Sequence, residues 1–80
     1  MRILLIGNGG REHAIARSLY NGSPSDILYA IPGNPGISQY CECIKINPLD
    51  FKAICNFVAM NKVRLVVNNV NDKKLEDKHF

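Results

Sequence analysis

Four short apolar runs divide the chain, and each has the length of a β-strand. They are R-I-L-L-I (2–6), I-L-Y-A-I (27–31), C-I-K-I (43–46) and V-R-L-V-V (63–67). The first two are apolar at nearly every position, which is typical of strands buried on both faces of a sheet. Turn-forming residues follow each of them, so the runs predict separate strands rather than one long element.

Two segments between these runs have helical spacing. The first covers about residues 10–20, and its apolar face is Ile15, Ala16, Leu19 and Tyr20. The second is predicted to start at Asn47 as the N-cap, with Pro48 as the first helical residue, and to end near residue 61. Its buried face is predicted to be Leu49, Ala53, Ile54, Phe57, Val58 and Met60.

The order strand, helix, strand, loop, strand, helix, strand predicts an α/β fold. We expect a Rossmann-like, mostly parallel sheet of about four strands with two helices, over residues 1–67. If the strands lie in the order 3-2-1-4, right-handed crossovers place the two helices on opposite faces. One helix would then cover each face, which leaves the sheet under-covered and suggests that the unit belongs to something larger.

Composition and charge limit the classes of function. The chain has 80 residues, 46% of them hydrophobic and 21% charged, as in one small domain. No apolar run approaches the roughly 20 residues of a membrane span, so we expect no membrane partner and a cytoplasmic location. The net charge of +3 is spread along the chain, and we expect no nucleic-acid partner. Cys41, Cys43 and Cys55 lack a fourth ligand at metal-site spacing, which predicts reduced thiols and no metal.

The stretch I-G-N-G-G-R-E-H (6–13) joins the first strand to the first helix and carries the candidate chemistry. Glycine lets the backbone approach a phosphate closely, and the unpaired N–H groups of a first helical turn point at it. The predicted anion cradle is Gly7, Asn8, Gly9 and Gly10, followed by Arg11, Glu12 and His13. A plain strand-to-helix turn with no ligand is the alternative interpretation of these glycines.

A dinucleotide is the second candidate ligand for this loop. Gly7 and Gly9 fit the G-x-G-x-x-G pattern, but Glu12 stands at the third glycine position. The second strand also runs into P-G-N rather than into an acid that would bind the ribose. A Walker-type loop is excluded, because no Gly-Lys-Ser/Thr follows.

Four segments of the chain together resemble one enzyme family. They are R-I-L-L-I-G-N-G-G-R-E-H-A-I-A, the P-G-N-P-G-I loop (32–37), I-N-P-L-D-F (46–51) and V-R-L-V-V. They are similar to the N-terminal domain of the phosphoribosylamine–glycine ligases, also called glycinamide ribonucleotide synthetases, over about residues 1–67. That resemblance implies an ATP-grasp ligase of de novo purine biosynthesis. Such an enzyme joins 5-phosphoribosylamine to glycine, using ATP and Mg²⁺ (or Mn²⁺), and releases glycinamide ribonucleotide.

The resemblance also implies roles for individual residues. Backbone amides around Gly9, Gly10 and Arg11 would hold the 5-phosphate, with Asn8 in the same loop. Glu12 would meet ribose hydroxyls, since a carboxylate beside a phosphate dianion is repelled. The other side of the sugar pocket would be closed by Gly33 and Asn34. For His13, substrate contact and a local packing role both stay open.

The chain departs from the family in two ways. Family members run to several hundred residues, so we expect the ATP-grasp domains, a cofactor site and catalytic residues to be absent from these 80. The fourth strand usually leads into Gly-Pro-Glu, whereas Asn68, Asn69, Val70 and Asn71 follow it here. Residues 68–80 are predicted to be a divergent polar tail, as in a truncated or frame-disrupted reading frame. A separate chain that supplies the ATP-grasp part, and a non-functional remnant prone to self-association, are the open alternatives.

Overall fold

The computed structural model describes residues 1–68, which form a four-stranded sheet with one helix on each face. The elements are β1 (Arg2–Gly7), α1 (Gly10–Gly22), β2 (Ile27–Pro32), a 3₁₀ turn (Ile37–Gln39), β3 (Glu42–Cys43), α2 (Phe51–Met60) and β4 (Leu65–Asn68). The strands lie in the order β3-β2-β1-β4, and every pair is parallel. The predicted α/β, Rossmann-like fold and strand order are therefore confirmed.

β1 is the centre of the sheet and the most buried element. Leu4 and Leu5 are 0% and 1% exposed, because β2 and β4 flank the strand while the α2 and α1 cores cover its two faces. Successive strand side chains point to opposite faces, so an unbroken apolar run supplies both cores at once. This is why R-I-L-L-I has no polar positions inside it.

Two apolar cores lie on opposite faces of the sheet. The α1 side contains Ile3, Leu5, Ala16, Leu28, Ala30, Ile37 and Cys41. The α2 side contains Leu4, Ile6, Tyr29, Ile31 and Ile54, with Phe57 packed edge-on against Tyr29 at a centroid separation of 5.0 Å. Each helix thus buries one stripe, but the stripe of α1 is narrower than predicted, since Tyr20 is 45% exposed.

The predicted start of the second helix is wrong by three residues. Asp50 is the N-cap of α2, since its carboxylate accepts the N–H of Ala53 at 3.1 Å. Asn47 instead forms a local turn, in which its side-chain oxygen accepts the N–H of Leu49 at 2.9 Å. Asn and Asp are both strong N-caps, and Asn also hydrogen-bonds its own backbone two residues on, so local sequence favours both arrangements.

The later start leaves Leu49 outside α2, and the buried face of the helix is also shorter at its C-terminal end than predicted. Leu49 and Met60 were predicted on the buried face, yet they are 79% and 83% exposed. Two strand boundaries also differ from the prediction. The third strand was predicted over 43–46 and is Glu42–Cys43, and the fourth was predicted over 63–67 and is Leu65–Asn68. Finally, α1 extends to Gly22, beyond the predicted end near residue 20.

The cover of the sheet is thinnest over β4, where Leu65 and Val66 are 43% and 44% exposed. Asn68, predicted to begin the polar tail, is the last residue of β4 and pairs with Ile6. The remaining predictions for that tail, including the missing Gly-Pro-Glu turn, lie outside the described residues.

Candidate functional site

The two glycine-containing loops meet at the carboxyl edge of the sheet. β1 ends at Gly7 and β2 at Pro32, and these residues are paired across the two strands. The chain then continues into residues 8–9 on one side and residues 33–36 on the other, here called the Asn34 loop. In open parallel sheets, ligands bind outside the carboxyl ends of the strands.

Asn34 holds these two loops together. Its side-chain nitrogen donates to the carbonyl of Asn8 at 2.6 Å, and its side-chain oxygen accepts the N–H of Ile37 at 2.8 Å. The N–H of Gly33 donates to the carbonyl of Gly7 at 3.1 Å. The structure therefore brings both predicted residues of the second loop against the glycine loop, with the side-chain amide of Asn34 as the bridge.

Gly33 occupies a position that excludes a side chain. Its φ is +69°, in the left-handed region that favours glycine. A Cβ there would also collide with the sulfur of Cys43, which lies directly beneath. The Asn34 loop consequently sits close against β3.

The start of α1 presents backbone donors to solvent. Gly9 is the N-cap, and the first helical hydrogen bond runs from the N–H of His13 to the Gly9 carbonyl at 3.1 Å. The amides of Gly10 and Arg11 fall in the first turn, where an α-helix supplies no acceptor. A Cβ on Gly10 would meet no atom within 4 Å, so the space beside this amide is open. Open donors at the positive end of a helix are suited to an anion.

Glu12 is turned inward, and sequence reasoning did not predict this. It is 6% exposed, and its Oε1 accepts the N–H of Gly9 at 2.8 Å. Glu12 lies two residues after the first helical residue, and from that position an acidic side chain can reach back to the N-cap N–H. This spacing was the signal in the sequence that could have predicted the contact. Its predicted contact with ribose hydroxyls stays a prediction.

Arg11 and His13 differ in environment. Arg11 is exposed beside the open donors, where a guanidinium is suited to a phosphate. The Nε2 of His13 is buried, and within residues 1–68 no hydrogen-bond partner lies near it. The ring lies between Gly36 and Tyr40, with its centroid 5.8 Å from that of Tyr40. A packing role accounts for the ring, while the substrate contact left open above stays untested.

A cavity of about 250 Å³ adjoins the glycine loop at the ends of β1, β2 and β4. Its lining residues are Ile6, Gly7, Asn8, Pro32, Pro48, Leu49, Phe51 and Asn68. Gly7 and Asn8 of the predicted cradle are among them, whereas Gly33 and Asn34 are not. Pro48, Leu49 and Phe51 lay within the predicted second helix, so their contribution as an apolar wall was missed.

A larger cavity, of about 450 Å³, lies at the opposite edge of the sheet. Arg2, Lys62 and Arg64 line it, together with apolar side chains such as Met60. It is basic, but neither glycine loop borders it. We therefore place the candidate site at the glycine loop and treat the basic cavity as its competitor in any anion-binding experiment.

Two further observations concern residues 1–68 alone. They contain no group of three or more His, Cys, Asp or Glu side chains arranged to hold a metal ion. Neither of their helices is long and apolar enough to cross a membrane.

Comparison with known proteins supplies the context of this site. The family model for the N domain of phosphoribosylglycinamide synthetase matches residues 1–76. The chain is 43% identical over 67 residues to the phosphoribosylamine–glycine ligase of Mesorhizobium japonicum, and 36% identical over 67 residues to that of Caldanaerobacter subterraneus. It is also 38% identical over 76 residues to the trifunctional purine biosynthetic protein adenosine-3 of Drosophila melanogaster.

These matches cover most of the chain but little of its relatives. They include 84% of the chain for the two bacterial ligases and 89% for the Drosophila protein. The chain spans 16% of the length of each bacterial ligase and 6% of the Drosophila protein. The family match also continues past residue 67, where the resemblance was predicted to end. With its parallel sheet and G-N-G-G-R-E-H loop, this chain belongs to the family of phosphoribosylglycinamide synthetase N domains.

Proposed function

We propose that the glycine loop binds the 5-phosphate of 5-phosphoribosylamine, in the N-terminal domain of a phosphoribosylamine–glycine ligase. The observation that carries this proposal is the pair of open first-turn amides at Gly10 and Arg11, at the carboxyl edge of the sheet. The family match supplies the substrate class, because phosphoribosylamine stands in the names of the bacterial ligases.

The surrounding residues complete the proposed site. Arg11 adds a positive charge beside the phosphate, and Gly33 and Asn34 limit the sugar pocket from the second loop. Asn8 is held in place through its carbonyl, which accepts from Asn34. The cavity beside Asn8 gives the sugar room next to the loop.

The complete reaction forms a further part of the proposal. It joins 5-phosphoribosylamine to glycine, with ATP and Mg²⁺ (or Mn²⁺), in the cytoplasm. In this proposal ATP and the metal bind to other parts of the ligase, as the resemblance to ATP-grasp ligases implies. The role of this chain is to bind and orient the sugar phosphate, and we propose no catalytic residue in it.

The experiment that tests the site compares two substitutions at Gly10. Gly10→Asp places a carboxylate beside the bound phosphate, whereas Gly10→Asn has nearly the same shape without the charge. A Cβ at this position meets no atom within 4 Å, and the two variants have nearly equal bulk, so any difference between them reports the charge. Two unit charges about 5 Å apart at an effective dielectric constant of about 20 repel by about 3 kcal/mol. After allowance for solvent screening, we expect at least a tenfold loss of affinity, which is about 1.4 kcal/mol.

The measurement is the dissociation constant for ribose 5-phosphate, obtained by calorimetric titration of the 80-residue chain. The wild type and Gly10→Asn should bind with millimolar or tighter affinity, and Gly10→Asp should bind at least ten times more weakly. A wild type that does not bind, or equal affinities for the Asp and Asn variants, would refute the proposal.

A further inference from the structure

A buried carboxylate inside an anion-binding loop is an unexpected arrangement. Glu12 is 6% exposed and lies in the same helical turn as the amides proposed to hold a phosphate. Its negative charge opposes any anion placed directly over the loop.

The loop has space for this side chain because two of its residues are glycines. A Cβ on Gly7 would lie 2.5 Å from Cγ and 2.6 Å from Cδ of Glu12. A Cβ on Gly9 would lie 3.0 Å from Oε1. The first two glycines of the G-x-G-x-x-G pattern therefore accommodate a side chain of the protein itself.

The same contact removes a donor from the loop. Loops with three glycines hold a pyrophosphate against the loop backbone and the helix N-terminus. Here the Gly9 N–H is already donated to Glu12 at 2.8 Å. The amides of the first turn that remain, those of Gly10, Arg11 and Glu12, are consecutive and suffice for one phosphate group.

We propose that Glu12 restricts this site to sugars that carry a single terminal phosphate, and that it excludes diphosphate esters. This inference rests on the proposed function and extends it, since it names the feature that sets the ligand class. A second phosphate, linked to the first, would have to lie along the loop. In that position it would be repelled by the Glu12 carboxylate, and the Gly9 N–H could not donate to it because Glu12 already accepts that hydrogen bond.

Two matched ligands test the proposal. ADP-ribose contains ribose 5-phosphate joined through a second phosphate to adenosine. The two ligands therefore differ in the second phosphate, which Glu12 is proposed to exclude. We expect the wild-type chain to bind ribose 5-phosphate at least tenfold more tightly than ADP-ribose. In Glu12→Ala, which frees the Gly9 N–H and removes the charge, this ratio should fall at least tenfold.

Glu42→Ala is the control variant. Glu42 is an exposed carboxylate on β3, so its loss changes net charge equally without touching the loop. Glu42→Ala should leave the ratio of the two affinities unchanged. If the ratio falls as much as in Glu12→Ala, the effect is one of net charge and the proposal is overturned. An unchanged ratio in a folded Glu12→Ala variant would also overturn it.

Even if Glu12→Ala does not fold, the affinities of the wild type for the two ligands can overturn the proposal. Binding of ADP-ribose as tight as that of ribose 5-phosphate overturns the specificity proposal alone. Failure of the wild type to bind ribose 5-phosphate overturns both this inference and the proposed function, so the two failures are distinguishable.

Discussion

Replacing Gly7 by alanine should destabilise the protein more than the same change at Gly9 or Gly10, the other two glycines between β1 and α1. Gly7 has a φ of +139°, which L-residues rarely adopt. Holding a non-glycine residue in such a conformation costs about 1–3 kcal/mol. The new methyl group would also overlap Cγ and Cδ of Glu12, and overpacking costs about 1–3 kcal/mol more. The expected total loss in unfolding free energy is thus about 2–6 kcal/mol.

That loss is large for a chain of this size. At roughly 0.05–0.15 kcal/mol per residue, the unfolding free energy of an 80-residue chain is about 4–12 kcal/mol. The assay is urea unfolding followed by far-UV circular dichroism, analysed by linear extrapolation. Gly10→Ala is the matched control, because a Cβ there meets nothing within 4 Å. Alanine is also the better helix former, so the control should be neutral or more stable by up to about 1 kcal/mol.

A double-mutant cycle separates the two costs of Gly7→Ala. In a Glu12→Ala background the overlap disappears while the backbone strain remains. Gly7→Ala should then cost about 1–3 kcal/mol less than in the wild type, a coupling typical of side chains in contact. A loss below about 1 kcal/mol for the single variant, or strict additivity in the cycle, would refute the inferred packing of Glu12 against Gly7.

Three further outcomes follow from particular contacts. Asp50→Ala should lower the unfolding free energy by about 1 kcal/mol because α2 loses its N-cap, and Asn47→Ala should lower it by less. If urea unfolding shows the larger loss for Asn47→Ala, Asn47 is the N-cap, as the sequence predicted. Gly36→Ser should be more stable than Gly36→Ala, because its hydroxyl can pair with the buried Nε2 of His13; equal urea midpoints would contradict this. Burial, aided by a neighbouring thiol, raises the pKa of Cys41 from 9.0 to about 11. The folded state therefore holds that proton more tightly, and unfolding free energy should fall as pH rises from 9 to 11, less so in Cys41→Ala; equal slopes would contradict it.

The sheet was predictable because its signals agree with one another. The run around Leu4 and Leu5 is apolar throughout, which indicates a strand covered on both faces. Helical segments between the strands then require parallel pairing, and right-handed crossovers limit the strand order. Each inference concerns an element rather than a single residue, so small errors in boundaries did not affect it.

Single-residue assignments failed where two local arrangements compete. Asn47 and Asp50 are both good caps, and the choice depends on how the connection from β3 reaches the sheet, which the local sequence does not encode. Glu12 was assigned from the family resemblance and from its charge, as a residue that would face the sugar. Its burial depends on the space left by Gly7, a tertiary relation that becomes visible only once β1 and α1 are placed together.

An amide-resolved NMR titration of the 80-residue chain with ribose 5-phosphate tests the central claim most directly. The account predicts that the largest shifts occur at the amides of Gly10 and Arg11, whose donors are open. A smaller shift is expected at Gly9, whose N–H is already donated to Glu12. Dispersed spectra without shifts, or shifts concentrated at Arg2 and Arg64 in the basic cavity, would contradict it.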